Sequence, residues 1–188
     1  MKKIILILSA VFLTATGFSQ TTWTNDKMHS KLTFTVNHLG ISDIFGLFKD
    51  FTVKATTTKP DFSDAVFELT ADVASINTEV EMRDNHLKSA DFFDVATYPK
   101  MTFKSTSIKN VGKDKYQLTG DLTLHGVTKS VTLDLWYRGT AANQSKKEVA
   151  GFQLTGKIDR SDFGIGGKFP AAAISNDVWI KADGEFGK

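Results

Sequence analysis

Six ionisable side chains stand where strand-like alternation breaks down. They are His38 in one stretch, Arg83, Asp84 and His86 in a second, and Arg160 and Asp162 in a third. They form no familiar catalytic set. The four histidines, His29, His38, His86 and His125, show neither i, i+4 nor His-x-His spacing, and the chain has no cysteine, so no metal site is read. Residues 151–157, GFQLTGK, approach a phosphate loop, but Ile158 stands where a Ser or Thr would hold Mg²⁺, and Phe152 and Leu154 alternate as a strand. No G-x-S-x-G elbow occurs. These groups are candidates for holding the polar head of a ligand; the alternative is that both arginines are purely structural. An unpaired charge at the end of an apolar cavity is costly, so Arg83 with Asp84, and Arg160 with Asp162, are expected to pair with each other or with that head.

The three irregular stretches must position these groups. In the second, Thr78 and Glu81 read as a capping box, which predicts a helix from about residue 79 within an insert reaching about 95. Val80 and Leu87 share a face of it, and Phe92 and Phe93 follow between aspartates. Such an insert is a lid or rim for a cavity, or a plug filling one end of a barrel. The first stretch, residues 37–48, predicts a helical turn with Ile41, Ile44 and Phe45 on its apolar side. The third, residues 159–177, is longer than a hairpin needs and carries Phe163, Ile165 and Phe169.

Around these stretches run eight rows of period-two alternation, such as Leu32, Phe34, Val36 and Ala65, Phe67, Leu69, Ala71, Val73. Short links between rows favour an all-β, antiparallel up-and-down barrel. Eight strands leave an interior that holds side chains or one small ligand. The expected lining is Phe34, Val36, Phe45, Phe67, Leu69, Leu87, Phe92, Phe93, Phe103, Leu118, Leu133, Phe152, Phe163 and Ile180. The 15 phenylalanines are many for such a chain, so either the core is large or something apolar sits against them.

Residues 1–19 read as a signal peptide: Lys2 and Lys3, an apolar run from Ile4 to Leu13, then Gly17 and Ser19. Residues 20–188 are expected to be one exported domain, periplasmic rather than secreted, with no span remaining after cleavage. Without Lys2 and Lys3 the formal charge falls from +2 to neutral, which gives no electrostatic case for nucleic acid.

Four motifs in order carry a resemblance: HSKLTFTVNHLGISDIFGLF, RDNHLKSADFFDVATYPKMTFKS, GDLTLHGVTKSVTL, and RSDFGI with a later ISNDVWI. They resemble the YceI-like family over roughly residues 23–186. The resemblance implies an eight-stranded antiparallel lipocalin-like barrel with a short helical insert around residues 79–95. It implies an elongated apolar cavity for a polyisoprenoid or other long-chain lipid, and a periplasmic location. No catalytic residue, metal or cofactor is carried over. The reading is a non-enzymatic binding and transport protein for a long-chain apolar molecule, and a homodimer is compatible with it. The alternatives are an enzyme acting on such a lipid, using Arg83, Asp84 and His86 or His38, and an interaction barrel with no ligand.

Overall fold

A computed structural model describes residues 19–188; the expected signal peptide lies outside them except for Ser19. The strands are β1 (Thr21–Asn25), β2 (Lys31–His38), β3 (Ser42–Phe48), β4 (Phe51–Thr57), β5 (Val66–Asp72), β6 (Ile76–Asn77), β7 (Lys100–Gly112), β8 (Lys115–Leu124), β9 (Val127–Ala142), β10 (Glu148–Asp159) and β11 (Ile174–Gly187), with one helix, α1 (Glu81–Lys88). Hydrogen bonding runs β1-β4-β5-β7-β8-β9-β10-β11 and closes through β1 and β11. β2, β3 and β6 continue from the same edges: β2 follows β1 along β11, β3 precedes β4, and β6 follows β5. The segments therefore make eight antiparallel staves in chain order, a closed eight-stranded barrel.

Alternation builds it. Along β8, Tyr116, Leu118, Leu122 and Leu124 are buried, and Met101 and Phe103 do the same on β7. Between them, a Cβ on Gly120 would sit 2.5 Å from both the Lys104 carbonyl oxygen and the Phe103 ring, so only glycine lets that ring lie across the strand. Register shifts in β7, between β9 and β10, and at the start of β11 bend the sheet toward closure.

One end is filled. Phe62, on the loop between β4 and β5, lies 4.8 Å from Phe152, 4.9 Å from Tyr137 and 5.4 Å from Trp23, ring centre to ring centre. Asp64 holds this loop by accepting from the Thr57 hydroxyl, the Thr58 hydroxyl and N–H, and the Lys59 N–H. Partial burial pushes Asp64 up, but those hydrogen bonds outweigh it and bring the carboxyl down to about 2.

The other end gathers the segment between β6 and β7, the loop between β10 and β11, and the turns after β2 and β8. Three expectations are corrected here. Residues 37–48 contain no helical turn: Leu39 and Gly40, at φ 55° and 73°, make a tight hairpin turn, and Ser42–Phe48 is a strand. The helix begins at Glu81, not 79, because Glu79 sits at φ 65°, and it ends at Lys88, with turns beyond. The capping box does not form: the Thr78 hydroxyl donates to Asp84 Oδ1, and Val80 caps the helix without a side-chain bond.

Candidate functional site

The inward rows enclose a cavity of about 400 Å³, within the range of small-molecule sites. Phe34 and Val36 on β2, Phe67 and Leu69 on β5, Phe103 on β7, Leu118 on β8, Leu133 on β9, Phe152 on β10 and Ile180 on β11 all line it. Leu87, Phe92 and Phe93 reach it from the helical insert. Two expected lining residues do not. Phe45 pairs with Thr35 on the outer face of the β2–β3 hairpin and is 50% exposed, because strand parity replaces the helical turn that would have turned it inward. Phe163 is only 1% exposed but packs outside the cavity; its carbonyl faces His125 Nδ1 at 3.0 Å, tying the β8–β9 turn to the loop after β10.

Alternation in β3 could have flagged Ile44 and Phe48, which also line the cavity. Ile165 and Phe169 reach it from the loop after β10, where no period applies, and Ile174 from the first residue of β11. Asn25 and Ser30 line it from either side of the break between β1 and β2, with no sequence signal beyond the end of alternation at residue 31.

Of the six ionisable groups, His38, Arg83, His86 and Arg160 line the cavity at its open end, while Asp84 and Asp162 do not. Asp84 is 6% exposed and accepts from the Thr78 N–H at 2.7 Å and the Thr78 hydroxyl at 2.6 Å. It organises the turn into α1. Arg83 does not meet it: Arg83 Nε donates to the same Thr78 hydroxyl at 2.8 Å, and Nη2 to the Thr78 carbonyl at 2.7 Å. Thr78 thus stands between the two charges, and Nη1 keeps its donors without a partner among the described residues.

Arg160 also lacks its expected carboxylate. Asp162 is exposed, two residues on in a 3₁₀ turn. The guanidinium, 5% exposed, donates instead to five carbonyl oxygens: Nε to Ser175, Nη1 to Ile165 and Gly166, Nη2 to Phe169 and Ile174. Every N–H is used, so Arg160 has nothing left for a ligand head. Burial holds its pKa below the ordinary arginine value, with Asp159 acting the other way. Gly166, at φ 64°, allows the close approach, since a Cβ there would meet the Phe92 ring at 2.8 Å and Arg160 Nη1 at 3.0 Å.

The two large mouth segments touch through aromatic rings. Phe92 stacks on Phe169 at 4.8 Å and 18°, and His86 lies edge-on to Phe92 at 5.0 Å and to Phe169 at 5.6 Å. Lys168 pairs with Asp91 across the same seam, and His86 Nε2 is 3.5 Å from Asp91. Lys168 first, and His86 after it, hold the Asp91 carboxyl below its usual range. The arrangement is a lid of two leaves over an apolar space. It offers the Arg83 guanidinium and two imidazoles at the mouth, and among the described residues no three His, Asp or Glu side chains converge as metal ligands.

Comparison with known proteins agrees with this geometry. The Campylobacter jejuni YCEI protein superposes with a TM-score of 0.74 at 36% identity, over 81% of this chain and 89% of that one. A polyisoprenoid binding domain from Saccharophagus degradans, 17% identical, shares the fold with a TM-score of 0.68 over 90% of this chain and 99% of that one. Protein YceI of Escherichia coli O157:H7 is 39% identical over 156 residues, covering 83% of this chain and 81% of that protein. The YceI-like domain family matches residues 23–186, nearly the whole described barrel, and the chain belongs to that family.

Proposed function

We propose that this protein binds a long-chain apolar molecule, of the polyisoprenoid or a related lipid class, inside the barrel and carries it without chemical change. The observation that carries the reading is the cavity itself: apolar rows on every stave, an aromatic plug at one end and a two-leaved lid at the other. The chain of the ligand lies along the rows, and its outer end meets the mouth. There Arg83 Nη1 is the guanidinium group with unused donors, and His38 and His86 flank the same opening. An anionic or strongly polar outer group is therefore the better match. The solved Saccharophagus degradans relative in fold is a polyisoprenoid binding domain, which supports the ligand class.

We place this function in the periplasm, from the signal-like residues 1–19, which fall outside the described structure save Ser19. Among the described residues no helix is long and apolar enough to cross a membrane. Mass spectrometry of organic extracts from protein purified from its own cell envelope tests the proposal. A stoichiometric long-chain molecule is expected. Extracts with no such molecule, or turnover of the extracted molecule by the purified protein, would overturn it.

A further inference from the structure

Below its mouth the inward-facing side chains of the cavity wall are apolar with one interruption; Lys31, Thr33 and Asp183, which also border it, stand at the outward parity of their strands. Between β1 and β2 the chain leaves the ladder for residues 26–30 and rejoins β11 at the Lys31–Asp183 pair. On the outside this excursion is latched: the Asp26 N–H donates to the Glu185 carbonyl at 2.7 Å, the Glu185 N–H to the His29 carbonyl at 3.3 Å, and His29 Nδ1 lies 2.9 Å from Asp26 Oδ2. On the inside two polar residues, Asn25 and Ser30, border the cavity, with Asn25 Nδ2 and Ser30 Oγ buried at its wall.

Both are out of place in an apolar wall. Asn25 is 7% exposed; its Oδ1 accepts from the Val53 N–H at 2.7 Å, but its Nδ2 donates to nothing among the described residues. The buried Ser30 Oγ likewise has no partner, so the two do not satisfy one another. Room is kept for them. The inward row of β11 shrinks toward the break through Ile180, Ala182 and Gly184, and a Cβ on Gly184 would lie 2.6 Å from Ser30 Oγ. Buried polar groups without partners are rare and costly, and a pair of them at the wall of a ligand cavity is the pattern of a binding contact.

We infer that Asn25 Nδ2 and Ser30 Oγ form a second polar contact inside the barrel, for a neutral hydrogen-bond-accepting oxygen on the part of the ligand remote from the mouth. The group is a ketone, ester, amide or alcohol oxygen. A phosphate or carboxylate does not suit it, because neither protein group carries a charge to offset burial of an anion. This rests on the lipid-binding reading and narrows it: the cargo is a long chain carrying an oxygen well inside, not a plain hydrocarbon chain.

The test is a positional scan. Octadecanoic acid and its mono-oxo isomers, with the ketone moved stepwise along the chain, are titrated against the purified protein by displacement of a fluorescent naphthylamine probe. One isomer, with its carbonyl at the depth of the strand break, is expected to bind about tenfold tighter than the unsubstituted acid, and its neighbours more weakly. Ser30→Ala and Asn25→Asp are each expected to bring that ratio back toward one. The aspartate keeps the acceptor for Val53 and removes the donor but adds a carboxylate, so Ser30→Ala, which adds no charge, is the variant that isolates the lost donor. The readout is a ratio within each variant, so a change in overall affinity does not enter. If the unsubstituted acid binds but every oxo isomer binds more weakly, or if the preferred isomer keeps its advantage in both variants, the inner contact is overturned and the lipid reading stands. If no chain binds at all, both fall together.

Discussion

Arg160 is a structural residue placed where a ligand-binding one was expected. Its five bonds gather carbonyls of the loop after β10 and of the start of β11 into a cup, and that loop carries Ile165 and Phe169 to the cavity. Arg160→Met should leave those buried carbonyls unpaired and cost on the order of 3 kcal/mol in urea unfolding. Arg160→Lys should recover little of it, since an ammonium has three donors and no planar fork. Arg83→Gln should behave oppositely: stability should fall by only about 1 kcal/mol, while binding weakens for anionic ligands and not for neutral ones of equal length. Paired isothermal titrations check this. Equal losses for both ligand types would remove Arg83 from the head-group role. The sequence showed that both arginines sit in irregular segments near apolar residues, and that much holds. It carried no sign that carbonyls far along a loop converge on Arg160, or that Thr78 separates Arg83 from Asp84, because both depend on how non-periodic backbone folds back on itself.

At the level of elements, the strand break and the plug loop are held by carboxylates whose titration can be followed. His29 is raised from its ordinary value of 6.5, first by its hydrogen bond with Asp26, then by the charges of Asp26 and Glu185. Its contribution should be complete below pH 6.5 and disappear as pH rises through the raised value. Amide exchange across residues 26–30, compared between wild type and His29→Gln, should therefore differ at pH 6 and converge well above neutrality. Convergence at low pH instead would contradict the latch. Asp64 works the other way. With its carboxyl brought from 3.8 to about 2, its stabilisation is present above 3.8 and lost as pH falls through about 2. Allowing for partial exposure, Asp64→Asn should cost about 1–2 kcal/mol at neutral pH. That difference from wild type should vanish in acid melts. Element type was readable wherever alternation was long, as in β5 and β8. It failed at residues 37–48, where apolar residues at 41, 44 and 45 fit a helical turn as well as a strand. The positive φ of Leu39 decided it, and a leucine gives no warning of that conformation.

For the whole molecule, the barrel has one polarity: filled at the Phe62 end, lidded at the Phe92–Phe169 end, and apolar between except at the break beside Asn25 and Ser30. Period two shows which residues point inward. It cannot show which of them fill the barrel and which line the space, since both sets share one parity. Phe152 takes part in both, touching Phe62 in the plug and lining the cavity. The lid makes release sensitive to its seam. Phe169→Ala removes the stack on Phe92 and should raise the ligand dissociation rate by about five- to tenfold, in line with an aromatic pair of about 0.5–1.5 kcal/mol. Ala182→Phe, on the inward row of β11, should shorten the longest chain the cavity accepts.

Chain length is the most direct test of the central claim. Each buried methylene contributes about 0.8 kcal/mol, and association costs at least several kcal/mol, so short chains bind weakly whatever their head. Prenyl ligands of one head group and increasing length should be titrated by calorimetry against wild type and Ala182→Phe. Affinity is expected to rise with length and level off once the cavity is full, with the plateau reached at a shorter chain in the variant. Flat affinity from short to long chains, or no binding at any length, would mean that the barrel interior is a packed core and that the protein is not a lipid carrier.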